Sequence, residues 1–255
     1  MPTWDAIAPS TKAVHAAQNH FATAVRTAKK LGSDAVSMSY GYPTDAYAGS
    51  GRPAQRMDVT GMAVSASTGD YGYNSLFPPW PQVLPSVIAV GGTELSRSSD
   101  GTWHEAVWDY GGSGCSAGYT PRAYGQPAWI SKLCNGYRAS ADVSAVADPQ
   151  TGVSVYDTYA PADNYPYEWV VVGGTSVSSP LVAGLYARAG DPAGVHGPNE
   201  LYGQPLTDFH DVVAGGNAPR GVCSSDGVSE RLCFADNGWD GPTGLGTPVG
   251  LRTFQ

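Results

Sequence analysis

The feature that most constrains the fold is a set of short apolar segments that each end at a turn containing glycine. They cover residues 35–40, 61–67 and 85–91, and each has the length of a buried strand rather than that of a helix. A chain of 255 residues can bury roughly three quarters of its unfolded surface, so one core can hold all three strands. Nothing in the sequence marks a boundary, and we expect a single domain over residues 1–255.

A helical pattern and a further strand pattern precede these segments. Asn19 can cap a helix over residues 20–31 that ends at Gly32, and the apolar face of this helix is formed by Phe21, Val25, Ala28 and Leu31. The alternation over residues 12–17 predicts a short strand ahead of the helix. Strands that alternate with helices in this way are typical of an α/β fold with a parallel sheet.

The second half of the chain has fewer regular patterns. Residues 153–156 and 169–172 predict two paired strands, after which Gly173 and Gly174 open a helix that runs to Ala189 or Gly190. Residues 42–57 predict a polar loop, and most of the last 65 residues predict loop as well.

The charge of the chain excludes some classes of partner. The formal net charge is −8, the pI is about 4.9, and the only lysines are Lys12, Lys29, Lys30 and Lys132. We therefore expect neither nucleic acid nor an anionic membrane as a main partner, because both attract basic surfaces. No apolar run approaches the length of a bilayer span, and residues 1–17 contain no signal-peptide pattern. The few lysines and the many Tyr, Ser, Gly and Thr residues are nevertheless typical of a secreted protein, so we expect that an upstream segment has been removed or lost.

Four cysteines allow three disulfide pairings. Cys115 and Cys134 are 19 residues apart, and Cys223 and Cys233 are 10 residues apart. We predict these two local pairs, because each disulfide would close an otherwise flexible polar loop and add about 2–4 kcal/mol to the stability. Free buried thiols are the alternative. A zinc site is not favoured, because the sequence has neither a Cys-x-x-Cys motif nor a nearby pair of histidines.

The candidate chemistry lies where a strand meets a helix. Gly173 and Gly174 are followed by Thr175 and Ser176, and Pro180 stands four residues further on. Free backbone N–H groups at a helix N-terminus favour developing negative charge, so a serine placed there is a candidate nucleophile. The alternative is that Ser176 only caps the helix. The string nearly fits a Gly-x-Ser-x-Gly elbow, but Ser178 breaks that match.

Several strings stand in the same order as in one known family. They are residues 66–72 (Ala-Ser-Thr-Gly-Asp-Tyr-Gly), 86–93 (Ser-Val-Ile-Ala-Val-Gly-Gly-Thr), 108–116 (Trp-Asp-Tyr-Gly-Gly-Ser-Gly-Cys-Ser), 141–156, 174–180, 211–212 and 238–248. Together they resemble the sedolisin family of serine-carboxyl peptidases over residues 6–248, and the cysteine pairs resemble those of secreted actinobacterial members. The resemblance implies a subtilisin-like three-layer α/β fold with a mainly parallel central sheet. It also implies that N-terminal strand and helix elements and the propeptide are missing from this chain.

The resemblance assigns roles to particular residues. Ser176 would attack the scissile carbonyl, and Asp70 would stabilise the oxyanion as a protonated carboxyl, which suits acidic pH. The substrate would be a peptide or an unfolded protein that pairs with the strand ending at Gly41. The residues assigned to substrate binding are Ser37, Ser39, Tyr40, Gly41, Gly112 and Gly114. Taken alone, residues 37–41 are a core strand and Asp70 is a turn residue that bonds its own backbone.

The same resemblance implies calcium as a cofactor. Its ligands would be the carboxylates of Asp211 and Asp240 and the backbone carbonyls of Val212, Asp236 and Gly238. Oxygen-only ligation of this kind suits a hard cation. His210 stands where the family has a polar Asn, and the alternative role for the two carboxylates is to cap loops.

The sequence lacks the family's general base. Members use a Glu and an orienting Asp that lie ahead of the string matched here by residues 6–9 (Ala-Ile-Ala-Pro), whereas Asp5 is too close to Pro9 and no Glu precedes Glu94, which lies far beyond that string. His15 and His20 are weak substitutes, as are Asp45, His104 and His210, and Glu105 itself matches a non-catalytic position. Three hypotheses follow: part of a peptidase whose missing N-terminal segment is a partner, a catalytically dead pseudo-peptidase that binds peptides or a partner protein, or a structural domain. In each case we expect the chain alone to hydrolyse protein weakly or not at all, and we expect the lost strand to leave an open sheet edge.

Overall fold

The computed structural model of the protein describes residues 11–41, 51–73, 79–116, 120–158 and 168–254. Within these residues the helices are α1 (Thr11–Lys30), α2 (Arg52–Met57), α3 (Ala128–Lys132), α4 (Thr175–Ala189), α5 (Asn199–Gly203) and α6 (Val222–Ser225). The strands are β1 (Ala35–Met38), β2 (Ala63–Ser67), β3 (Ile88–Arg97), β4 (Trp103–Val107), β5 (Gly114–Cys115), β6 (Ala139–Ser140), β7 (Val143–Val146), β8 (Val153–Asp157), β9 (Glu168–Val172), β10 (Phe209–His210) and β11 (Thr247–Pro248). Short 3-10 helices cover Leu206–Asp208, Glu230–Leu232 and Leu251–Phe254.

The central sheet has the predicted parallel topology. Strands β1, β2, β3 and β7 are neighbours in that order and run parallel, and the second half of β3 also pairs antiparallel with β4. The register places Ala35 opposite Ala63 and Val90 opposite Val143. Among the described residues, β1 pairs only with β2. The carboxyl ends of β1 and β2 therefore lie side by side and lead directly into the loops of the candidate site.

Alternate residues of the sheet face two different helical layers. Ala63 and Val90 belong to a buried cluster that includes Val182 and Tyr186 of α4. Residues at the next positions, such as Val64 and Ala66, belong to a second buried cluster that includes Ala22 and Val25 of α1. Successive side chains of a strand point to opposite faces, so the sheet is covered on both sides. The result is a three-layer α/β architecture, as expected.

Helix α1 corrects two predictions. Residues 12–17 are not a strand, because α1 starts at Thr11, and Asn19 therefore lies inside the helix rather than at its cap. Leu31 follows the last helical residue and is 80% exposed, so it is not part of the buried face. The apolar residues of this segment recur at spacings of three and four residues, at Val14, Ala17, Phe21 and Val25. This helical period cannot be recognised in a window of six residues.

Other predicted elements are found with small shifts. The strands predicted at 153–156 and 169–172 pair as β8 and β9 in antiparallel register. Residues 52–57 form α2 instead of loop, with Pro53 in the first turn, where a missing N–H costs nothing. None of the described helices is both long enough and apolar enough to cross a membrane.

Both predicted disulfides are present. Cys115 bonds to Cys134 with 5.3 Å between their Cα atoms, and Cys223 bonds to Cys233 with 6.2 Å between theirs. The first ties β5 to the segment after α3, and the second ties α6 to the 3-10 helix Glu230–Leu232. Both bonds therefore hold segments that lie outside the central sheet.

Candidate active site

Ser176 lies in the first turn of α4, directly after a sharp bend. The N-cap of this helix is Gly174, which has a φ of 91° and needs the freedom of glycine. The Ser176 side chain is exposed, and among the described residues neither its hydroxyl nor its backbone N–H has a hydrogen-bond partner. The expectation that Ser176 only caps the helix is therefore wrong. Its position leaves the hydroxyl exposed at the helix N-terminus, where backbone N–H groups favour negative charge.

Pro180 explains why the Ser176 backbone carbonyl has an unusual partner. In a regular helix this carbonyl would accept a bond from the N–H of residue 180, but proline has none. The hydroxyl of Ser39, just beyond β1, donates to the carbonyl instead, at 3.3 Å. The proline thus allows the strand end that carries Ser39 to contact the first turn of α4.

The next serines of the motif hold α4 against the sheet. Ser178 donates to the carbonyls of Ala145 and Val146, both at 3.0 Å, at the end of β7. The hydroxyl of Ser179 lies 2.9 Å from that of Ser37 on β1 and 3.0 Å from that of Ser65 on β2. Both serines are buried, in contrast to Ser176. The first turn of α4 is thereby fixed to three strands of the sheet.

Asp70 lies in the turn after β2 and points at the start of α4. One carboxyl oxygen, Oδ1, accepts the backbone N–H of Thr175 at 2.8 Å and the Thr175 hydroxyl at 2.7 Å. The Thr175 hydroxyl in turn accepts the N–H of Gly69 at 3.1 Å. The other oxygen, Oδ2, would lie 2.7 Å from a Cβ at position 174, so only glycine fits there. Asp70 is therefore oriented with one acceptor oxygen occupied, while the other has no hydrogen-bond partner among the described residues.

Ser176 and Asp70 line the same cavity, which has a volume of about 430 Å³. Its wall is built from the ends of β1 and β2, the turn after β2, Pro79, Ser113 and the start of α4. Tyr71 stands at the cavity with 84% of its surface exposed, where a bound chain could cover it. The sequence analysis missed Tyr71, Ser113 and Thr175 as site residues, although each adjoins a residue that it named.

The residues assigned to substrate binding divide into two groups. Ser39, Tyr40 and Gly41 line the cavity. Ser37 does not line it, because its hydroxyl is turned toward Ser179. Gly112 lies behind the wall, where its N–H donates to the Gly69 carbonyl at 2.8 Å, and Gly114 pairs with Ser140. Ser113, between these two glycines, is the residue of that loop that reaches the cavity.

Those residues weighed as a general base whose side chains the structure describes are not at the cavity. His20 is exposed on α1. Glu105 on β4 accepts hydrogen bonds from Thr93 at 2.7 Å and from Thr247 at 2.9 Å. His104 is bonded to Ser98, and His210 lies 3.6 Å from Glu105. Asp5 and Asp45 are outside the described residues, as is the side chain of His15. Among the described residues that line the cavity, Asp70 is the only carboxyl or imidazole group.

The residues assigned to calcium form one loop cluster far along the chain. Asp240 is fully buried, and its carboxylate accepts the N–H groups of Thr243 at 2.8 Å and Asp236 at 3.0 Å. Burial, with a smaller contribution from the charge of Asp211, raises the pKa of Asp240 to about 7. Asp211 accepts the N–H of Gly238 at 2.9 Å. These bonds are loop caps, and no group of three or more possible metal-ligating side chains is found in the part of the chain that the structure describes.

Comparison with known proteins identifies the family. No family model matches the sequence. The chain is 34% identical to kumamolisin of Bacillus sp. (strain MN-32) over an alignment of 245 residues that covers 86% of this chain and 42% of the relative. It is 32% identical to sedolisin of Pseudomonas sp. (strain 101) over 217 residues, which cover 73% of this chain and 33% of the relative. The chain thus spans less than half the length of these two relatives.

A solved structure supports the same assignment. The structure of Pseudomonas sedolisin (serine-carboxyl proteinase) complexed with two molecules of pseudo-iodotyrostatin superposes with a TM-score of 0.63 at 25% identity. The match covers 91% of this chain and 67% of the other. The sequence matches, this superposition and the position of Ser176 after a glycine bend agree, and the chain belongs to the sedolisin family of serine-carboxyl peptidases with their subtilisin-like three-layer α/β fold.

Proposed function

We propose that the protein is a serine-type endopeptidase that cleaves peptide bonds through an acyl-enzyme formed on Ser176. The observation that carries the proposal is the cavity shared by the unpartnered Ser176 hydroxyl and the Asp70 carboxyl. The substrate is a peptide or unfolded protein, bound along the residues that end at Gly41. Strand ends with free backbone groups recognise extended chains by added β-pairing. The two disulfides and the family suggest that the protein is secreted, since disulfides persist in oxidising compartments.

The proposed reaction begins when the Ser176 Oγ attacks the scissile carbonyl carbon and gives up its proton. Two donors would meet the resulting oxyanion: the free N–H of Ser176 and, when Asp70 is protonated, the O–H at Oδ2. The two bonds from Thr175 to Oδ1 favour this arrangement, because they leave Oδ2 to carry the proton. The C–N bond then breaks, the amine leaves with a proton, and water hydrolyses the acyl ester.

The proton of Ser176 needs an acceptor. The family pattern assigns it to a glutamate with an orienting aspartate, and we propose that a partner segment supplies both. Asp70 does not serve, because a carboxyl that donates to the oxyanion is already protonated. The lack of another carboxyl or imidazole group among the described cavity residues favours a second candidate function, a pseudo-peptidase that binds peptides or a partner protein without cleaving them.

A trapping experiment separates the two candidates. We expect the protein, supplied with a segment that carries the glutamate and aspartate pair, to yield new peptides from denatured casein at acidic pH and, after an acid quench, an acyl group on the tryptic fragment that carries Ser176. The chain alone should yield little of either product. Mass spectrometry detects both products. Casein that binds to the protein but stays intact, with no adduct, would instead identify the non-catalytic binder. If casein is neither bound nor cleaved, whether by the chain alone or by the chain with the added segment, both candidates are contradicted.

Substitutions of Asp70 are expected to change the peptidase activity. Replacing Asp70 with Ala is expected to lower kcat by about 10²- to 10³-fold, since one oxyanion donor is lost. In Asp70→Asn the amide oxygen can accept the two Thr175 bonds, and its NH₂ then donates at every pH. This variant is expected to keep part of the activity, because it restores a donor toward the oxyanion. The measurement is kcat/KM for a peptide substrate between pH 3 and 7. An unchanged kcat in Asp70→Ala would mean that Asp70 does not stabilise the oxyanion.

Calcium fits the C-terminal loop cluster by its chemistry. The two carboxylates and the loop carbonyls are all oxygen donors, which hard cations prefer. The buried Asp240 and the neighbouring Asp211 repel each other, and the pKa of Asp240, raised by burial and by that repulsion, marks a place where added positive charge would be stabilising. We propose that Asp211 and Asp240, with the carbonyls of Val212, Asp236 and Gly238, hold calcium there and that its role is to stabilise the fold.

Calcium removal therefore has a measurable consequence. Addition of EDTA at neutral pH is expected to lower the melting temperature by about 5 °C or more, because a ligand that binds only the folded state stabilises it by mass action. The variant Asp240→Asn should lose most of this response. Asp191→Asn, which changes an exposed aspartate elsewhere, should keep it. A melting temperature that is the same with EDTA and with added calcium would contradict the site.

A further inference from the structure

A second cavity, of about 690 Å³, lies beside the C-terminal turns of α1 and α2. Its wall contains four basic side chains: Arg26, Lys29, Lys30 and Arg56. The whole chain has only 14 Lys and Arg residues against 22 Asp and Glu, so this is a marked concentration of positive charge in an acidic protein. The cavity is lined by residues other than those of the peptidase site.

The positive charge of this cavity is not neutralised by the part of the chain that the structure describes. Lys29 donates to the Gly61 carbonyl at 2.6 Å, while Arg26, Lys30 and Arg56 have no hydrogen bond or ion pair within the described ranges. The carboxylate in the wall, that of Asp58, is engaged elsewhere: it lies 2.6 Å from the His196 ring and accepts the Tyr124 hydroxyl at 2.9 Å.

Helix electrostatics explain only part of this arrangement. A basic residue in the last turn of a helix interacts favourably with the helix dipole. This accounts for Lys29 and Lys30 at the end of α1 and for Arg56 at the end of α2. Arg26 stands one turn earlier, four residues before Lys30 and on the same side of α1. Because the ends of both helices line the same cavity, their positive side chains repel one another. A bound anion would relieve this repulsion.

We propose that this cavity binds a multivalent oxyanion that carries phosphate or sulfate groups. Guanidinium groups form paired hydrogen bonds with the oxygens of such anions, and the two arginines come from different helices. Ammonium groups add charge with less demand on geometry. The volume of the cavity and the spread of its four cations suit an anion with several charged groups better than a single phosphate.

Isothermal titration calorimetry with tripolyphosphate at low salt tests the proposal. Wild-type protein is expected to bind, and the double variant Arg26→Gln/Arg56→Gln to lose about tenfold or more in affinity. The control is Arg188→Gln/Arg252→Gln, which removes the same net charge from two exposed arginines outside the cavity and should change the affinity less than about twofold. The variant Arg26→Lys/Arg56→Lys should recover part of the binding, and circular dichroism would establish that each variant is folded.

Three further titrations define the class of ligand. Inorganic phosphate is expected to bind more weakly than tripolyphosphate, and a sulfated oligosaccharide of the heparin type distinguishes a sulfate source from a phosphate source. Tighter binding of an aspartate-rich peptide than of both polyanions would overturn the oxyanion assignment. No heat of binding from any polyanion, or an equal loss in the cavity variant and its control, would overturn the site itself.

Discussion

With the segment that supplies the general base present, the variant Ser176→Ala is expected to lose peptidase activity by ~10⁴-fold or more while it still binds peptide. The hydroxyl is the proposed nucleophile, and a serine peptidase without it retains only what binding and the oxyanion donors provide. The cost in stability should be small, because the Ser176 hydroxyl is exposed and has no partner in the described structure, and alanine is a good helix former. Hydrolysis of a quenched fluorescent peptide at acidic pH and urea unfolding of the same samples give the two measurements.

The matched control is Ser154→Ala on β8. This serine is also exposed, and it lies outside the residues that line the cavity. Its activity and stability should equal those of the wild type. If the wild type and Ser176→Ala both bind a peptide and neither cleaves it, the protein is better described as a pseudo-peptidase than as a peptidase. Activity in Ser176→Ala equal to that of the wild type would mean that a different group is the nucleophile.

Local patterns were sufficient to predict the framework of this site. The strands before Gly41 and Asp70 follow from short apolar runs, and the helix after Gly174 follows from a glycine pair that ends a strand. Each of these signals lies within about ten residues, where sequence periodicity and turn chemistry are informative. The error at residues 12–17 has the same origin: over six residues an alternating and a helical pattern coincide, and only the longer spacing to Val25 separates them.

The contacts that make the site work join distant parts of the chain. The bond from Thr175 to Asp70 spans 105 residues, and that from Ser39 to the Ser176 carbonyl spans 137. No local pattern predicts such pairs, because they depend on which strands are neighbours in the sheet. Helix α2 was missed for a related reason: it has six residues, and burial of Met57 rather than helix propensity holds it.

A buried ion pair beneath the sheet gives the second large prediction. The Arg138 and Asp142 side chains are fully buried and joined by two bonds, of 2.6 and 2.5 Å. Asp142 also accepts the N–H of Ala89 on β3 and the hydroxyl of Tyr202 on α5, both at 2.7 Å. Burial opposes the charge of Arg138, but the charge and hydrogen bonds of Asp142, together with Tyr202, outweigh burial and raise the pKa of Arg138 above its ordinary value. Asp142 thus neutralises the guanidinium and links β3 to α5.

Replacing Asp142 with Asn is therefore expected to cost about 3–5 kcal/mol of unfolding free energy, since it leaves Arg138 buried without a counter-charge and turns an amide donor toward other donors. Urea unfolding measures the loss. The double variant Arg138→Met/Asp142→Leu should lose less than the sum of the two single changes, because no unpaired charge remains. The exposed aspartate variant Asp191→Asn should stay within about 0.5 kcal/mol of the wild type. A loss below about 1 kcal/mol in Asp142→Asn would mean that water or a shift of the chain solvates Arg138 and that the pair does not hold the sheet.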